Sequence, residues 1–396
     1  MSPTFLEAVS LYWQLALALS PVWRALLGLF GLAWLLQLYF WWARLGQVAR
    51  YKPQAEHTAP AQPEGISVVV CCHNDLPGIQ RLLPLLAEQA YPMAEVIVVD
   101  DRSDDETYDW LLAQSLRPGA TFKLVRVNAR PEHVAGKKYA LTLGIKAARY
   151  PIVLLTDADC LPTSADWVGR MAAALQTAEA QVVLGYAPLA PAPGLVAALA
   201  RYDAFYTGLQ YLGFALAGKP YMGVGRNLAY RRALFFATKG FAQHAQHTGG
   251  DDDLFVNQAV HQGLAGKVAV CLHPQAQCVS APKQTWRAWY GQKLRHLAAG
   301  KRYQSGSKWA LGLLQASHLL FYAAGAALLA AWPLTLVVAL AYIVRLSVAW
   351  PVQALAARRL GERFNVWSLP LLDAWMPLHY LVFGIPALFS KRISWS

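Results

Sequence analysis

The sequence predicts an α/β domain built on a mostly parallel sheet, with transmembrane helices at the N- and C-terminal ends of the chain. Three observations carry that prediction. Short β-branched runs alternate with helical stretches between residues 66 and 157. Two of those runs end in clustered aspartates. The apolar excess of the 396-residue chain, 56% hydrophobic against 15% charged with mean hydropathy +0.27, gathers before residue 45 and after residue 305. Such a composition excludes a disordered chain, which combines low hydrophobicity with high charge. It also departs from ordinary soluble proteins, in which about a quarter of residues are charged.

At the N-terminus, Ala25 to Ala43 is 19 residues without a charge, between Arg24 and Arg44. As a helix this segment measures about 28 Å, close to a hydrocarbon core of roughly 30 Å. Trp34, Tyr39, Phe40, Trp41 and Trp42 give it an aromatic end for the headgroup layer. Residues 8–23 read as an interfacial helix or an extension of that span. Met1 to Ser10 carries Glu7 and no basic residue, unlike a cleaved signal peptide. The organisation is thus an anchor over 1–45, a proline-bearing linker over 46–64, a catalytic-type domain over 65–282, an interfacial amphipathic helix over 283–304 and a membrane region over 305–396.

Trp309 to Val344 runs 36 residues without Lys, Arg, Asp or Glu, too long for one span. Pro333 divides it into spans at about 309–331 and 334–356, the second holding Arg345. Val366 to Phe389 carries Asp373, His379 and three prolines, and either spans once or re-enters. Arg44, Arg50 and Lys52, then Lys293 to Lys308, then Arg358, Arg359 and Arg363 place residues 46–308 in the cytoplasm of an integral membrane protein, as in a bacterial inner or cell membrane. Lys391 and Arg392 favour a re-entrant last segment. Arg345 and Asp373, costly in the membrane, are expected to pair. The net charge of +12 is the same positive-inside bias plus attraction to anionic membrane lipid. No recognition motif accompanies it, so no nucleic-acid partner is expected. Five cysteines without metal spacing read as reduced thiols.

In the central domain, Ile66 to Cys71, Glu95 to Val99, Phe122 to Val127 and Ile152 to Thr156 read as buried strands. Ile79 to Ala90, Thr107 to Leu116 and Lys138 to Arg149 read as the helices between them. Ligands in such sheets bind beyond the carboxyl ends of the strands, where Asp100-Asp101 and Asp157-Ala158-Asp159 fall. An aspartate there also serves as a plain helix cap. Two carboxylates one residue apart, however, repel unless a cation lies between them, and a hard divalent ion with a phosphate is the natural partner.

Several motifs occur in the order found in the family 2 glycosyltransferases, which the sequence resembles over about residues 65–300. These are inverting enzymes of the GT-A fold, and the likeness is to the membrane branch of cellulose, hyaluronan and ceramide-glucose synthases. Ser67 to Asn74 resembles the first strand and its loop, with Cys72 in place of a proline. Val98-Val99-Asp100-Asp101-Arg102-Ser103 resembles the second, where an Asp contacts the nucleotide. Gly136-Lys137 resembles the segment whose lysine approaches the diphosphate. Asp157-Ala158-Asp159 matches the metal-binding motif. Tyr221 to Arg231 is similar to the segment lining the sugar and acceptor pocket, with Arg226 and Asn227 as contacts. Gly250-Asp251-Asp252-Asp253-Leu254 aligns with a Glu-Asp-x-Asp-Leu pattern in which Gly250 replaces the Glu and Asp251 is the base, with Asp252 at the variable position. Gln292-Lys293-Leu294-Arg295-His296 fits a Gln-x-x-Arg-Trp motif except at His296, which weakens acceptor stacking and processivity.

The resemblance implies a Mg2+ or Mn2+ ion held by Asp157 and Asp159. It implies a nucleotide-sugar donor, a UDP-hexose, contacted by Asn74, Asp100, Asp101, Lys137, Asp157, Gln292, Arg226 and Asn227. The catalytic group is Asp251 with Asp252 and Arg295, and the acceptor a lipid, lipid-linked sugar or glycan. His244 and His247 are weaker candidates for touching the acceptor. Rival readings are a processive polysaccharide synthase, a non-catalytic GT-A partner of another synthase and a metal-dependent phosphotransferase. Two aromatic stretches, Lys283 to Tyr303 and Gly194 to Leu216, read as helices lying on the bilayer, with a core helix the alternative for the second.

Overall fold

The computed structural model describes residues 10, 14, 19–52, 62–247, 249–331 and 334–389. Nine strands are present among them: β1 (Ile66–Cys72), β2 (Ala94–Asp100), β3 (Lys123–Arg126), β4 (Ile152–Asp157), β5 (Leu161–Pro162), β6 (Val182–Gly185), β7 (Leu228–Arg231), β8 (Val268–Cys271) and β9 (Cys278–Val279). Seven form one sheet in the order β3-β2-β1-β4-β7-β6-β8, and β5 pairs with β9 apart from it. Within the seven-stranded sheet only β7 runs against its neighbours, and β5 and β9 are antiparallel to each other. The Val-rich interiors of β1, β2 and β4 are buried on both faces, as β-branched runs in a covered parallel sheet must be.

Register decides where the acids go. Cys71 of β1 lies opposite Asp157 of β4, and Cys72 opposite Asp100 of β2. Both acidic strand ends therefore flank the carboxyl end of the central strand. Because β7 is antiparallel to β4, its first residue Leu228 sits opposite Leu155. That pairing carries the Gly223 to Asn227 segment to the same edge.

The helices, labelled in order, are α1 (Pro21–Tyr39), α2 (Leu76–Ala87), α3 (Thr107–Ser115), α4 (Lys138–Ala147), α5 (Trp167–Thr177), α6 (Leu195–Leu216), α7 (Asp253–His261), α8 (Trp286–Ala299), α9 (Ser305–Leu328), α10 (Thr335–Arg359) and α11 (Leu369–His379). Helix α2 starts three residues before the expected Ile79. Asp75 caps it by accepting from the Gly78 amide at 3.0 Å, and a proline fits its first turn. Helix α6 is a core helix, not one lying on the bilayer. Tyr202, Phe205, Tyr206 and Tyr211 are all buried, in one core with Trp41, Leu45, Val352 and Ala356.

Among the described residues, four helices are long and apolar enough to cross a membrane: Pro21–Arg50, Ser305–Leu328, Thr335–Arg359 and Val366–Phe389. The first runs through a π turn at Phe40–Leu45 and on to Arg50, past the expected boundary at 45. The last is one helical run of 24 residues, about 36 Å long, without the reversal a re-entrant hairpin needs. Pro370 lies in its first turn, where no amide is required, and Pro377 precedes a π turn at Tyr380–Gly384. The expectations resting on most of residues 8–18 and on Lys391 and Arg392 lie outside the described residues.

The polar residues of these spans face one another. Arg345 Nη1 donates to Asp373 Oδ2 at 2.5 Å, and Arg345 Nη2 to Gln37 Oε1 at 2.9 Å. The Tyr322 hydroxyl donates to Asp373 at 3.0 Å, and Gln37 Nε2 to Ser317 at 2.9 Å. One network thus ties all four helices, and the expected Arg345–Asp373 pair is present.

Candidate active site

At the carboxyl end of β4, the Lys137 ammonium lies 2.6 Å from Asp157 Oδ1 and 3.2 Å from Asp251 Oδ2. Lys137 ends the loop before α4, Asp157 ends β4, and Asp251 precedes α7. Three elements distant in sequence thus deliver one cation between two carboxylates. Burial alone would lower the Lys137 ammonium, but Asp157 and Asp251 outweigh it and hold it well above the ordinary lysine range. Burial would likewise raise Asp251. Lys137 and Lys138 reverse that, so Asp251 lies below the ordinary carboxyl value and stays ionised.

The neighbouring acids differ from it. Asp252 Oδ2 accepts from the Gly225 amide at 2.6 Å and Oδ1 from the Asp253 amide at 2.8 Å. Asp252 therefore ties the Gly223 to Asn227 segment to α7. Burial and the Asp251 charge push its carboxyl up to about 6. Asp253 receives the Tyr303 hydroxyl at 2.7 Å and the Leu254 amide at 2.7 Å. Burial and Asp252 push it up to about 7.

Asp157, Asp159 and Cys160 present ligand atoms all within 4.8 Å of one another. Two carboxylates suit a hard divalent ion, whose remaining positions go to water and phosphate oxygens. Cys160 fits it poorly. Burial raises its thiol well above the ordinary range, and the protonated sulfur donates to Asp159 Oδ1 at 3.3 Å. The residues present thus fit a divalent ion at Asp157 and Asp159.

The far end of the cleft is formed at β1 and β2. Asp100 and Asp101 are both buried, and Asp101 Oδ1 accepts from Arg102 Nε at 2.8 Å. Above them Asn74 accepts from the Asp104 amide at 2.9 Å, while its own amide donates to Ser103 Oγ at 3.0 Å. Asn74 (φ 50°) and Arg102 (φ 61°) both hold the left-handed conformation, uncommon for residues other than glycine and frequent at functional sites.

Arg226 stands near the aspartates. Its guanidinium donates to Ser280 at 2.6 Å and to the Ala187 carbonyl at 3.0 Å, and its charge acts on Asp159. Asn227 does not reach the cleft. It is fully buried, accepts from Trp167 Nε1 at 3.0 Å, and donates to the Tyr186 and Ala276 carbonyls at 2.9 and 2.8 Å. Its side-chain amide is thus taken up by protein groups behind the site.

Helix α8 turns one stripe toward the rest of the protein. Trp289 and Lys293 point inward: Trp289 packs on Phe383 with ring centroids 4.8 Å apart, and Lys293 pairs with the buried Asp203 at 2.8 Å. His296, three residues after Lys293 and seven after Trp289, follows the same side of the helix, and the charges acting on it are led by Lys293 and include Arg226, while Gln292 and Arg295 are half-buried. The expected interfacial helix is therefore docked on the last span, with Trp286 left exposed. His244 is buried and His247 half-buried beside a cavity of about 280 Å³ lined by His133 and residues 242–247. Burial pushes His244 down to about 4, so it is neutral at physiological pH.

Sequence reasoning missed four residues that build this site: Lys138, Cys160, Asp203 and Tyr303. A signal existed for two of them. Lys138 repeats the lysine of the Gly-Lys segment, and Asp203 is the one acid in a helix rich in aromatic and apolar residues.

This geometry can be compared with known proteins. Residues 67–235 match the family model described as glycosyl transferase family 2. Over those residues the chain is similar to that family. The poly-beta-1,6-N-acetyl-D-glucosamine synthase of Staphylococcus epidermidis is 34% identical over 98 residues, which are 25% of this chain and 22% of that protein. The Staphylococcus aureus enzymes of the same name are 31% identical over the same length. The chain thus spans about a fifth of the length of these curated relatives. Among solved structures, a mannosyltransferase from Pyrobaculum calidifontis in complex with GDP-Man and Mn2+ superimposes with a TM-score of 0.59 at 21% identity, over 93% of this chain and 99% of that one. That likeness is one of fold, the GT-A arrangement. The family match and these relatives, all enzymes by name, support an enzyme.

Proposed function

We propose that the protein is a membrane-bound, inverting glycosyltransferase that moves a hexose from a nucleotide sugar, a UDP-hexose, to a lipid or lipid-linked acceptor. The observation that carries this reading is the joining of Lys137, Asp157 and Asp251 in one cleft at the end of β4. A donor's diphosphate needs positive charge as it leaves, and an acceptor hydroxyl needs a base. This cleft offers both within one lysine's reach.

Asp157 and Asp159 would hold the divalent ion, which supplies Lewis-acid stabilisation of the diphosphate when bound. Lys137 and Arg295 add fixed positive charge, and Gln292 lies on the same face of α8 as Arg295. Asn74, Asp100 and Asp101 form the nucleoside end. Asp251, kept ionised by Lys137, takes the proton of the acceptor hydroxyl as it attacks opposite the leaving group. One base and one displacement invert the anomeric carbon.

The membrane-level acceptor is supported by how α7 is held. Its Asn257 accepts from the Gln304 amide at 2.8 Å and donates to Ser307 at 3.3 Å, while Tyr303 reaches Asp253. The helix following the base is thereby fastened to the first turn of the Ser305–Leu328 span. A polysaccharide acceptor is the second reading, favoured by the names of the staphylococcal relatives. Mn2+ and a nucleotide sugar agree with what the mannosyltransferase was solved with, although that donor carries guanine.

The test is nucleoside-diphosphate release by detergent-purified protein over a panel of UDP-, GDP- and TDP-sugars with Mn2+ or Mg2+, with and without extracted lipid. Release from a UDP-hexose, raised by lipid, is the expected result. Release raised by a soluble glycan alone supports the second reading. No release and no donor binding would overturn both.

A further inference from the structure

Immediately before Asp251 lie two glycines in the left-handed region, Gly249 (φ 80°) and Gly250 (φ 79°). A Cβ on Gly250 would meet the Leu254 side chain at 2.4 Å, so the backbone must be glycine there. Two glycines are the most mobile backbone available, and they precede the one carboxylate whose position matters most. Something must restrain them.

Lys138 supplies the restraint. It is 1% exposed, at the start of α4, and its ammonium donates to the carbonyls of both His247 and Gly249. A second tie lies beside it, the Ala135 amide donating to the Ala245 carbonyl at 2.7 Å. The adjacent lysines thus divide the work. Lys137 meets carboxylates in the cleft, while Lys138 holds the backbone behind it. A fully buried ammonium is expensive unless hydrogen-bonded, and here its partners are the loop carbonyls with the Asp251 to Asp253 charges nearby.

We propose that Lys138 is a positioning residue for Asp251, clamping the Gly249-Gly250 turn so that the carboxylate stands where the acceptor hydroxyl must be deprotonated. This rests on Asp251 acting as the base. A misplacement of about 1 Å costs roughly 10²-fold in rate, which sets the expected effect.

The experiment compares full-length wild type, Lys138→Met and Lys138→Arg in detergent. Hydrogen exchange is followed over residues 241–252, and turnover is measured with Mn2+ and the UDP-hexose that wild type uses best. Lys138→Met should lose exchange protection in that loop and fall about 10²-fold in kcat, with donor KM and Mn2+ affinity within twofold of wild type. Lys138→Arg, which keeps the donors, should recover much of both losses. Unchanged protection and kcat in Lys138→Met would overturn the proposal, as would a loss of donor binding equal to the loss of kcat. Exchange needs no substrate and reads the clamp even where turnover is absent. Retained turnover in Asp251→Asn would sink the assignment of the base and leave the clamp standing.

Discussion

Lys137 sits 2.6 Å from Asp157, so the lysine expected at the donor's diphosphate lies against a residue expected at the metal. With Asp251 on its other side at 3.2 Å, its ammonium already serves as the cation between two carboxylates. Bringing in a divalent ion and a diphosphate means moving that lysine from carboxylate to phosphate. The ion, the donor and the base are therefore linked through one side chain.

Removing that charge should favour metal in the absence of donor. Lys137→Met is expected to bind Mn2+ at least several-fold more tightly than wild type, since a buried like charge opposes a second cation. It should also lose about 10²-fold or more in turnover. Electron paramagnetic resonance titration reads the first and diphosphate release the second. Equal Mn2+ affinity in the two proteins would show that Lys137 does not compete.

Asp253 makes a prediction about pH. Its carboxyl is raised to about 7 by burial and by Asp252, itself at about 6. A raised folded-state value means the native protein binds the proton more tightly than the unfolded chain does. Its contribution is present at low pH and fades as pH rises from the ordinary carboxyl range through about 7. The lowered Asp251 acts oppositely, but below the ordinary range. Thermal unfolding in detergent should thus show stability falling between pH 5 and 8, and Asp253→Asn should flatten that slope. An unchanged slope would count against the shift.

Asn227 is expected to matter for folding and not for substrate. Asn227→Ala leaves the Trp167 indole and two carbonyls without partners, at about 1–3 kcal/mol for each buried orphan. Thermal stability should drop by several degrees, while donor KM in the folded fraction stays unchanged. A stable variant with a raised KM would restore the sugar-contact role.

In the membrane region, Asp373→Leu alone strands the Arg345 charge that Gln37 and Tyr322 also engage. Breaking one side of a buried pair costs about 3–5 kcal/mol. The double variant Arg345→Leu with Asp373→Leu removes both charges and should be more stable than Asp373→Leu. A double variant less stable than both single ones would contradict this.

Much of this was legible in the sequence. The β-branched runs predicted the strands, and the aspartate clusters at their ends predicted the cleft, because parallel strands place their carboxyl ends on one edge. The Arg345–Asp373 pairing followed from the cost of isolated charge in lipid. What was not legible depended on packing between distant segments. Asn227 reads like a pocket residue until Trp167, sixty positions earlier, is seen holding it. Helix α6 carries the aromatics of an interfacial helix, and only the sheet beneath and the spans above make it core. Lys138 is indistinguishable from Lys137 by type; one residue's rotation about a helix start sends one ammonium to the carboxylates and the other to the loop.

The central claim is that Asp159 serves binding and Asp251 serves chemistry. Donor binding by calorimetry with Mn2+, beside diphosphate release, on wild type, Asp159→Ala and Asp251→Asn tests it most directly. Asp251→Asn should bind donor as wild type does and release nothing, while Asp159→Ala should lose metal-dependent binding. Turnover by Asp251→Asn, or undiminished metal-dependent binding by Asp159→Ala, would contradict the account.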